Sequence, residues 1–355
     1  MMRSSPTTPV LSIVLGRLLY PVKVTVHFAL MAVAAAAVAP LAASQVPLFA
    51  TIESFLPQLA ALGFAAGVLG LPFRPRAMAL LGFAVCAWNL VQVWPYLPLP
   101  SALRAVPLLG AWTSGAVAAD TTSPKLKVVS ANLWYRNGAF DTAVAYLAGT
   151  DADVIGLIEL TPQWTRALAP LYERYPYRID CMDRVPPCEI MLLSRYPLLR
   201  SYAGSVDGHT PTIAWGEIQV AGRPITVAVT HLAWPLERAT EKGGSTDDGA
   251  LTLEQSQQVR NLVQYSAGLD SDLVLMGDFN SVPWSRAQAT LRAGTGLKND
   301  GPMLLTWPAW QPLWSRLPID QVFVRGALDR VSFGKGPFIG SDHFPVEAEI
   351  ALKAQ

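Results

Sequence analysis

The run Leu273-Val274-Leu275-Met276-Gly277-Asp278-Phe279-Asn280 reads as a short buried strand that ends on a carboxylate. Four apolar residues followed by glycine are too few for a helix and suit a strand covered on both faces. A carboxylate at the end of such a strand is costly to bury unless it is paired or holds a metal. The same form recurs in Val128-Val129-Ser130-Ala131-Asn132, Val154-Ile155-Gly156-Leu157-Ile158-Glu159, Thr226-Val227-Ala228-Val229-Thr230-His231 and Pro318-Ile319-Asp320. Five polar strand ends need a shared explanation. One cluster at a common rim supplies it, and Ser341-Asp342-His343, leading into a last apolar run, would complete that cluster.

Outward from these ends, strands are predicted over 126–133, 154–159, 189–194, 213–220, 225–232, 273–278, 319–324 and 346–352, and helices over 141–148, 165–175, 252–267 and 285–293. Thr252 and Gln255, three apart, predict a capping box on the third helix. Alternating elements of this kind over the carboxy-terminal two thirds predict a layered α/β sandwich with helices covering packed sheets. No internal repeat is visible.

The composition adds a second region. The chain is 51% hydrophobic and only 15% charged over 355 residues, with a mean hydropathy of +0.30, whereas soluble domains carry about a quarter charged residues. Residues 1–120 hold six basic residues (Arg3, Arg17, Lys23, Arg74, Arg76, Arg104) and two acids (Glu53, Asp120), which leaves 21 basic and 24 acidic residues for the remainder. Three uncharged apolar stretches, 24–43, 54–73 and 77–97, each approach the roughly 20 residues a bilayer crossing requires. The first is too long, and too closely followed by the others, for a cleaved signal peptide. Five Lys or Arg flank the spans on one side and Arg104 alone on the other. That bias predicts a cytoplasmic amino terminus and a multi-pass protein of the inner cell membrane, with everything after residue 97 on the periplasmic or extracytoplasmic side. The expected organisation is an anchor over 1–100, a Pro-, Ala-, Ser- and Thr-rich linker over 101–124, and a globular domain over 125–355.

Cys86 lies in the third apolar stretch, while Cys181 and Cys188 flank a Pro-containing loop. Outside the cytoplasm that pair is a disulfide candidate, with two unrelated thiols as the alternative; no third ligand makes it a zinc site.

The ordered set Asn132, Glu159, Thr230-His231-Leu232, Gly277-Asp278-Phe279-Asn280, Ile319-Asp320 and Ser341-Asp342-His343 resembles the endonuclease/exonuclease/phosphatase superfamily, which includes deoxyribonuclease I, abasic-site endonucleases, neutral sphingomyelinases and inositol polyphosphate 5-phosphatases. The resemblance covers about residues 125–352. It implies a four-layer α/β/β/α sandwich, here preceded by three transmembrane helices, with the site at one end of the sheets. It also implies Mg²⁺ or Mn²⁺ held by Glu159, with Asn132 beside it and Asp342 as a further ligand. Catalytic roles then fall on His343 paired with Asp320, on Asp278 toward the attacking water, on Asn280 toward the phosphate, and on His231 toward the transition state. Whether Asp278 or His343 is the formal base is left open. Phosphate-ester hydrolysis suits such a set, since it needs charge neutralisation, an oriented water and donors for the developing charge. One departure is informative: some abasic-site endonucleases carry Asn-x-Asp in the first motif, where this chain has Asn132-Leu133-Trp134.

Several other residues have blander readings. Asn137 and Ser194 read as structural, and Asp207 and His209 as a solvated loop. Trp307, Trp310 and Trp314, among prolines, read either as a packed loop or as an aromatic lip toward lipid or substrate. The globular region is net acidic and lacks a basic stripe, which weighs against nucleic acid as the substrate. The expected activity is hydrolysis of a phosphate mono- or diester, a phospholipid or other envelope phosphoester. Nuclease action is the alternative, and a non-catalytic binding protein of the same fold is a minor one, disfavoured because every motif position is filled.

Overall fold

Alternation decides the architecture. In the first predicted strand Leu126 and Val128 enter one apolar cluster while Val129 and Ala131 enter another, and in 273–276 Val274 and Met276 part in the same way from Leu273 and Leu275. A strand buried on both faces must have a layer on each side. The computed structural model describes residues 8–42, 47–72, 75–97, 123–182, 189–205, 212–235, 254–269, 272–299 and 303–353. The chain forms two compact units, Met1–Ala43 with Phe55–Trp94, and Ser44–Ser54 with Pro95–Gln355.

The helices at the amino-terminal end are α1 (Thr8–Val38), α2 (Pro47–Glu53), α3 (Leu56–Gly70) and α4 (Ala77–Val93), of which α2 belongs to the second unit. Among the described residues two stretches, Tyr20–Val38 and Ala77–Tyr96, are long and apolar enough to cross a membrane, not the three expected. The middle helix has 15 residues, about 22 Å at 1.5 Å per residue, against a hydrocarbon core of about 30 Å. Its prolines account for this: Pro57 sits in the first turn and Pro72 follows the end. Pro40 likewise turns the end of the first stretch into a 3₁₀ turn, Ala39–Ala42. Helices α3 and α4 pack backbone to backbone. A Cβ on Gly82 would stand 2.6 Å from the Gly67 amide nitrogen, so only glycine permits that approach.

The second unit carries eleven described strands, β1 (Lys125–Asn132), β2 (Val154–Ile158), β3 (Tyr177–Asp180), β4 (Ile190–Ser194), β5 (Arg200–Gly204), β6 (Thr212–Val220), β7 (Arg223–His231), β8 (Leu273–Asp278), β9 (Asp320–Arg325), β10 (Leu328–Lys335) and β11 (Val346–Leu352). They form a six-stranded sheet, β10-β11-β1-β2-β4-β3, and a five-stranded sheet, β5-β6-β7-β8-β9. The helices are α5 (Phe140–Gly149), α6 (Pro162–Ala167), α7 (Glu254–Ser266) and α8 (Arg286–Thr295). The largest core, with Val128, Val154, Leu192, Val229 and Met276, lies between the sheets. A second lies under α5 and α6 with Leu147 and Trp164, and a third under α7 and α8 with Leu262 and Leu291. The layers therefore run helix, sheet, sheet, helix.

The predicted helix over 165–175 is shorter and lies earlier, because Pro170 cannot continue it and a 3₁₀ turn, Ala169–Leu171, takes its place. Cys181 is disulfide-bonded and Cys86 is free. Cys188, Asp207, His209, Thr252 and nearly all of the expected linker lie outside the described residues.

Candidate active site

Strand register builds the site. In the five-stranded sheet His231 pairs with Asp278 and Asp278 with Asp320, so three polar side chains form one row across β7, β8 and β9. In the facing sheet Asn132 ends β1 opposite Ile158, and Glu159 follows on a left-handed backbone with φ 59°. Trp134 (φ 58°) and Asn280 (φ 44°) share that conformation, which is costly for a non-glycine residue and gathers where geometry matters more than local comfort. Gly277 is required: at φ 148° a Cβ there would lie 1.9 Å from the Thr230 carbonyl oxygen.

His343 is the centre. Its Nδ1 lies 2.9 Å from Asp320 Oδ2, and its Nε2 lies 3.6 Å from Asp278 Oδ2 and 4.0 Å from Asp342 Oδ1. The Ser-Asp-His turn is fixed from below, since Ser341 Oγ accepts from the His343 amide at 3.0 Å and donates to the Asn132 carbonyl at 2.7 Å. His343, Asp278 and Asp320 are all buried. Burial would lower the His343 pKa, but the carboxylates of Asp320 and Asp278 outweigh it and hold the value near 10. Burial raises Asp278 to about 6, against the pull of His343. Asp342 is also raised, again chiefly by burial.

Around this centre, Asn132 Nδ2 donates to Glu159 Oε1 at 2.8 Å and to Asp278 Oδ2 at 3.2 Å, and its Oδ1 accepts from the Trp134 amide at 2.9 Å. The Tyr135 amide reaches Glu159 Oε2 at 3.2 Å. Asn280 donates to the Asp278 carboxylate through its amide at 2.8 Å, and its side chain donates to the Leu232 carbonyl at 2.8 Å and lies 3.3 Å from His231 Nε2. His231 Nε2 lies 3.6 Å from Asp278 Oδ2. Asn137 serves the loop, donating to the Ile339 carbonyl and accepting from Ala139, and the Ser194 hydroxyl caps the Tyr196 turn.

The donor set suits a divalent cation. Four carboxylates, Glu159, Asp278, Asp320 and Asp342, face two histidines, and Asp342 Oδ1 is buried without a hydrogen-bond partner. Glu159, His231 and Asp278 present ligand atoms within 4.8 Å of one another, as do Asp278, Asp320 and His343. Oxygen-rich sets with an open position are what Mg²⁺ and Mn²⁺ favour.

Two residues escaped sequence reasoning. Gln255, expected as a capping-box partner of Thr252, which lies outside the described residues, has a role in the site as well: its Nε2 donates to the carbonyls of Ala233, Phe279 and Asn280 and so holds the Asp278–Asn280 turn. Trp307 Nε1 donates to Asp342 Oδ2 at 3.1 Å, with its ring 6.3 Å from His343 and 5.0 Å from Trp234. Its place among prolines flagged the loop but not this bond.

Residues 129–343, more than half of the chain, match the model of the Endonuclease/Exonuclease/phosphatase family. The chain belongs to that family. Its members are hydrolases of phosphoester bonds, and this chain is an enzyme of that class. Among solved structures, an endonuclease/exonuclease/phosphatase from Bacteroides vulgatus is similar at 17% identity and TM-score 0.52, covering 64% of this chain and 99% of that one. D. rerio TDP2 humanized by 14 mutations is similar at 18% and 0.51, covering 64% and 98%. Sphingomyelinase C from Streptomyces griseocarneus gives 19% and 0.45, covering 64% and 99%. At such identities the first two likenesses establish a shared fold. No curated protein matches the chain.

Proposed function

We propose that this chain is a membrane-anchored, divalent-metal-dependent phosphoesterase acting on a phosphate mono- or diester other than nucleic acid, a phospholipid or similar envelope phosphoester. The observation that carries the chemistry is His343, closed between Asp320 and Asp278, with the Asp342 Oδ1 that accepts no hydrogen bond beside it. Glu159, Asn132 and Asp342 would hold Mg²⁺ or Mn²⁺. When bound, the ion supplies charge neutralisation at the phosphoryl oxygens and polarises water. A histidine held near pKa 10 is cationic at neutral pH and donates to the phosphate. Asp278, near 6, is then the group poised to accept a proton from the attacking water. Asn280 and His231, which lie beside Asp278, complete the donors for the developing charge.

Two features favour the envelope reading. Tyr20–Val38 and Ala77–Tyr96 have the length and apolarity of membrane spans. The side depends on the number of crossings: from a cytoplasmic amino terminus two crossings return the second unit to the cytoplasm, and the extracytoplasmic placement read from the Lys and Arg count requires the shorter α3 to cross as well. Residues 121–355 have three more acids than bases, a poor surface for a polyanion. A screen of the full chain in detergent, with Mg²⁺ or Mn²⁺, against phospholipids, nucleotides, small phosphoesters and DNA tests this. Turnover of a lipid or small phosphoester that is abolished by chelation is expected. Rapid cutting of DNA with the other substrates untouched would replace the reading with a nuclease.

A further inference from the structure

Three connections reach the catalytic rim: 133–139 after β1, 306–319 before β9 and 336–345 before β11. They expose large apolar side chains. Tyr135 is 53% exposed, Trp310 54%, Leu313 61%, Trp314 75% and Phe338 51%. A cluster of exposed aromatic and aliphatic side chains on one face marks an interaction surface. These residues are linked: the Trp134 and Trp310 rings meet at 5.5 Å, inclined at 51°, Arg316 bonds the Gln311 carbonyl and lies over the Phe344 ring, and Phe344 meets Phe338 at 6.2 Å.

The charge on these connections contrasts with the rest of the unit. They contain Arg136, Arg316 and, at the edge, Lys335, but only one acid, Asp342, which is turned into the site. Each cation lies over a ring, Arg136 on Tyr135 at 5.1 Å and Arg316 and Lys335 on Phe344 at 4.9 and 4.0 Å. Indole and phenol rings beside basic side chains are the chemistry of a headgroup layer, where aromatic bodies settle at the interface and cations meet anionic lipid.

Within the same unit, the short helix α2 is held behind the 306–319 connection. Trp284 Nε1 donates to the Glu53 carbonyl at 2.8 Å, and both Glu53 carboxylate oxygens accept from the Arg286 amide at 3.0 Å. Trp284 packs with Val282, Leu317, Ile319 and Trp307 in the cluster behind the 306–319 connection. From Glu53 the chain runs within three residues into the apolar helix α3.

From these observations we infer that this aromatic and cationic collar docks on an anionic bilayer surface, so that the catalytic rim meets its phosphoester at the membrane. The inference rests on the membrane-anchored reading above and not on which ester is cleaved.

The test uses the full chain in nanodiscs of phosphatidylcholine, with or without phosphatidylglycerol. Leu313→Cys, in a Cys86→Ser background, carries an environment-sensitive NBD label. Leu199→Cys, 53% exposed at the opposite end of the sheets, is the control. The label at 313 is expected to shift to the blue and be quenched by lipid-borne nitroxides when phosphatidylglycerol is present, while the label at 199 stays in water. Replacing Arg136, Arg316 and Lys335 by Gln should move the equilibrium about tenfold toward the solvent-facing form, and high salt should act in the same direction. Emission at 313 matching the control in both lipids would overturn the docking. Equal quenching in both lipids, unmoved by the triple variant, would overturn the anionic partner. Alkaline extraction of native membranes reports the anchor separately. Docking is read without turnover, so an inactive chain that inserts and an active chain that does not are distinguishable outcomes.

Discussion

The two sheets of the second unit are built alike and end differently. Each has a parallel pair at its heart, β1 with β2 and β7 with β8, flanked by antiparallel neighbours. In the five-stranded sheet the ladder itself aligns His231, Asp278 and Asp320, so their separation is set by strand spacing and two of the three are buried. The six-stranded sheet places Glu159 one residue beyond its strand, on a left-handed turn, with its carboxylate only partly covered. One sheet holds protons in a closed, mutually charged row, and the other presents oxygen atoms toward the opening. On the proposed mechanism the five-stranded sheet supplies the proton acceptor, and the six-stranded sheet supplies the cation ligands together with His343, which its last connection lays against the row.

The largest effect should come from removing the side chain that closes this row from the six-stranded sheet, His343 on the connection into β11. His343→Ala removes the group held by Asp320, and turnover of the phosphoester found by screening should fall about a thousandfold or more, with little change in KM. Retention of most of kcat would refute the assignment. Gly277→Ala attacks the same row through the backbone. Its Cβ cannot coexist with the Thr230 carbonyl 1.9 Å away, and a loss of about 3 kcal/mol or more in urea unfolding is expected as β7 and β8 separate.

The first sheet should fail in another manner. Glu159→Gln should raise the Mg²⁺ concentration for half-maximal rate by at least about tenfold, the lower end of the loss seen even for groups that only support a ligand. Saturating metal should recover part of kcat, whereas the His343 variant should gain nothing from added ion. Identical metal curves for the two variants would erase the distinction between the sheets.

Legibility followed burial. The polar strand ends could be read because each closes an apolar run, and Asn132, Glu159, His231, Asp278, Asn280, Asp320, Asp342 and His343 do come together at one rim. Strands β3, β5 and β10 were not predicted, and all three are sheet edges. Their residues are largely exposed or half-covered, so no run of apolar positions announces them. The further role of Gln255 was hidden because spacing shows a local cap and not three carbonyls reached through the fold.

The sheets differ once more in the helix that follows each central pair, and here the smallest effect is expected. After β2, Thr161 caps α6 from within, its side chain accepting from Trp164. After β8, Ser285 does the same for α8 by accepting from Gln288, but Glu53 adds a second acceptor, at the Arg286 amide, from over 200 residues away. Burial raises the Glu53 pKa from 4.5 to about 7, while the Arg286 amide and guanidinium oppose the rise. A folded-state pKa above the unfolded one favours the protonated folded form, so this contribution is complete below pH 4.5 and is lost as pH rises through about 7. The native chain should therefore lose stability between pH 5 and 8 by up to about 2 kcal/mol from this group alone. Glu53→Gln, uncharged at both ends of that window, should remove the slope, matching the native protein at pH 5 and exceeding it at pH 8. Subtracting the two urea or thermal profiles cancels every other titrating group, Asp278 included. A difference profile that is flat, or that slopes the other way, would mean that the second sheet's helix is as self-sufficient as the first's.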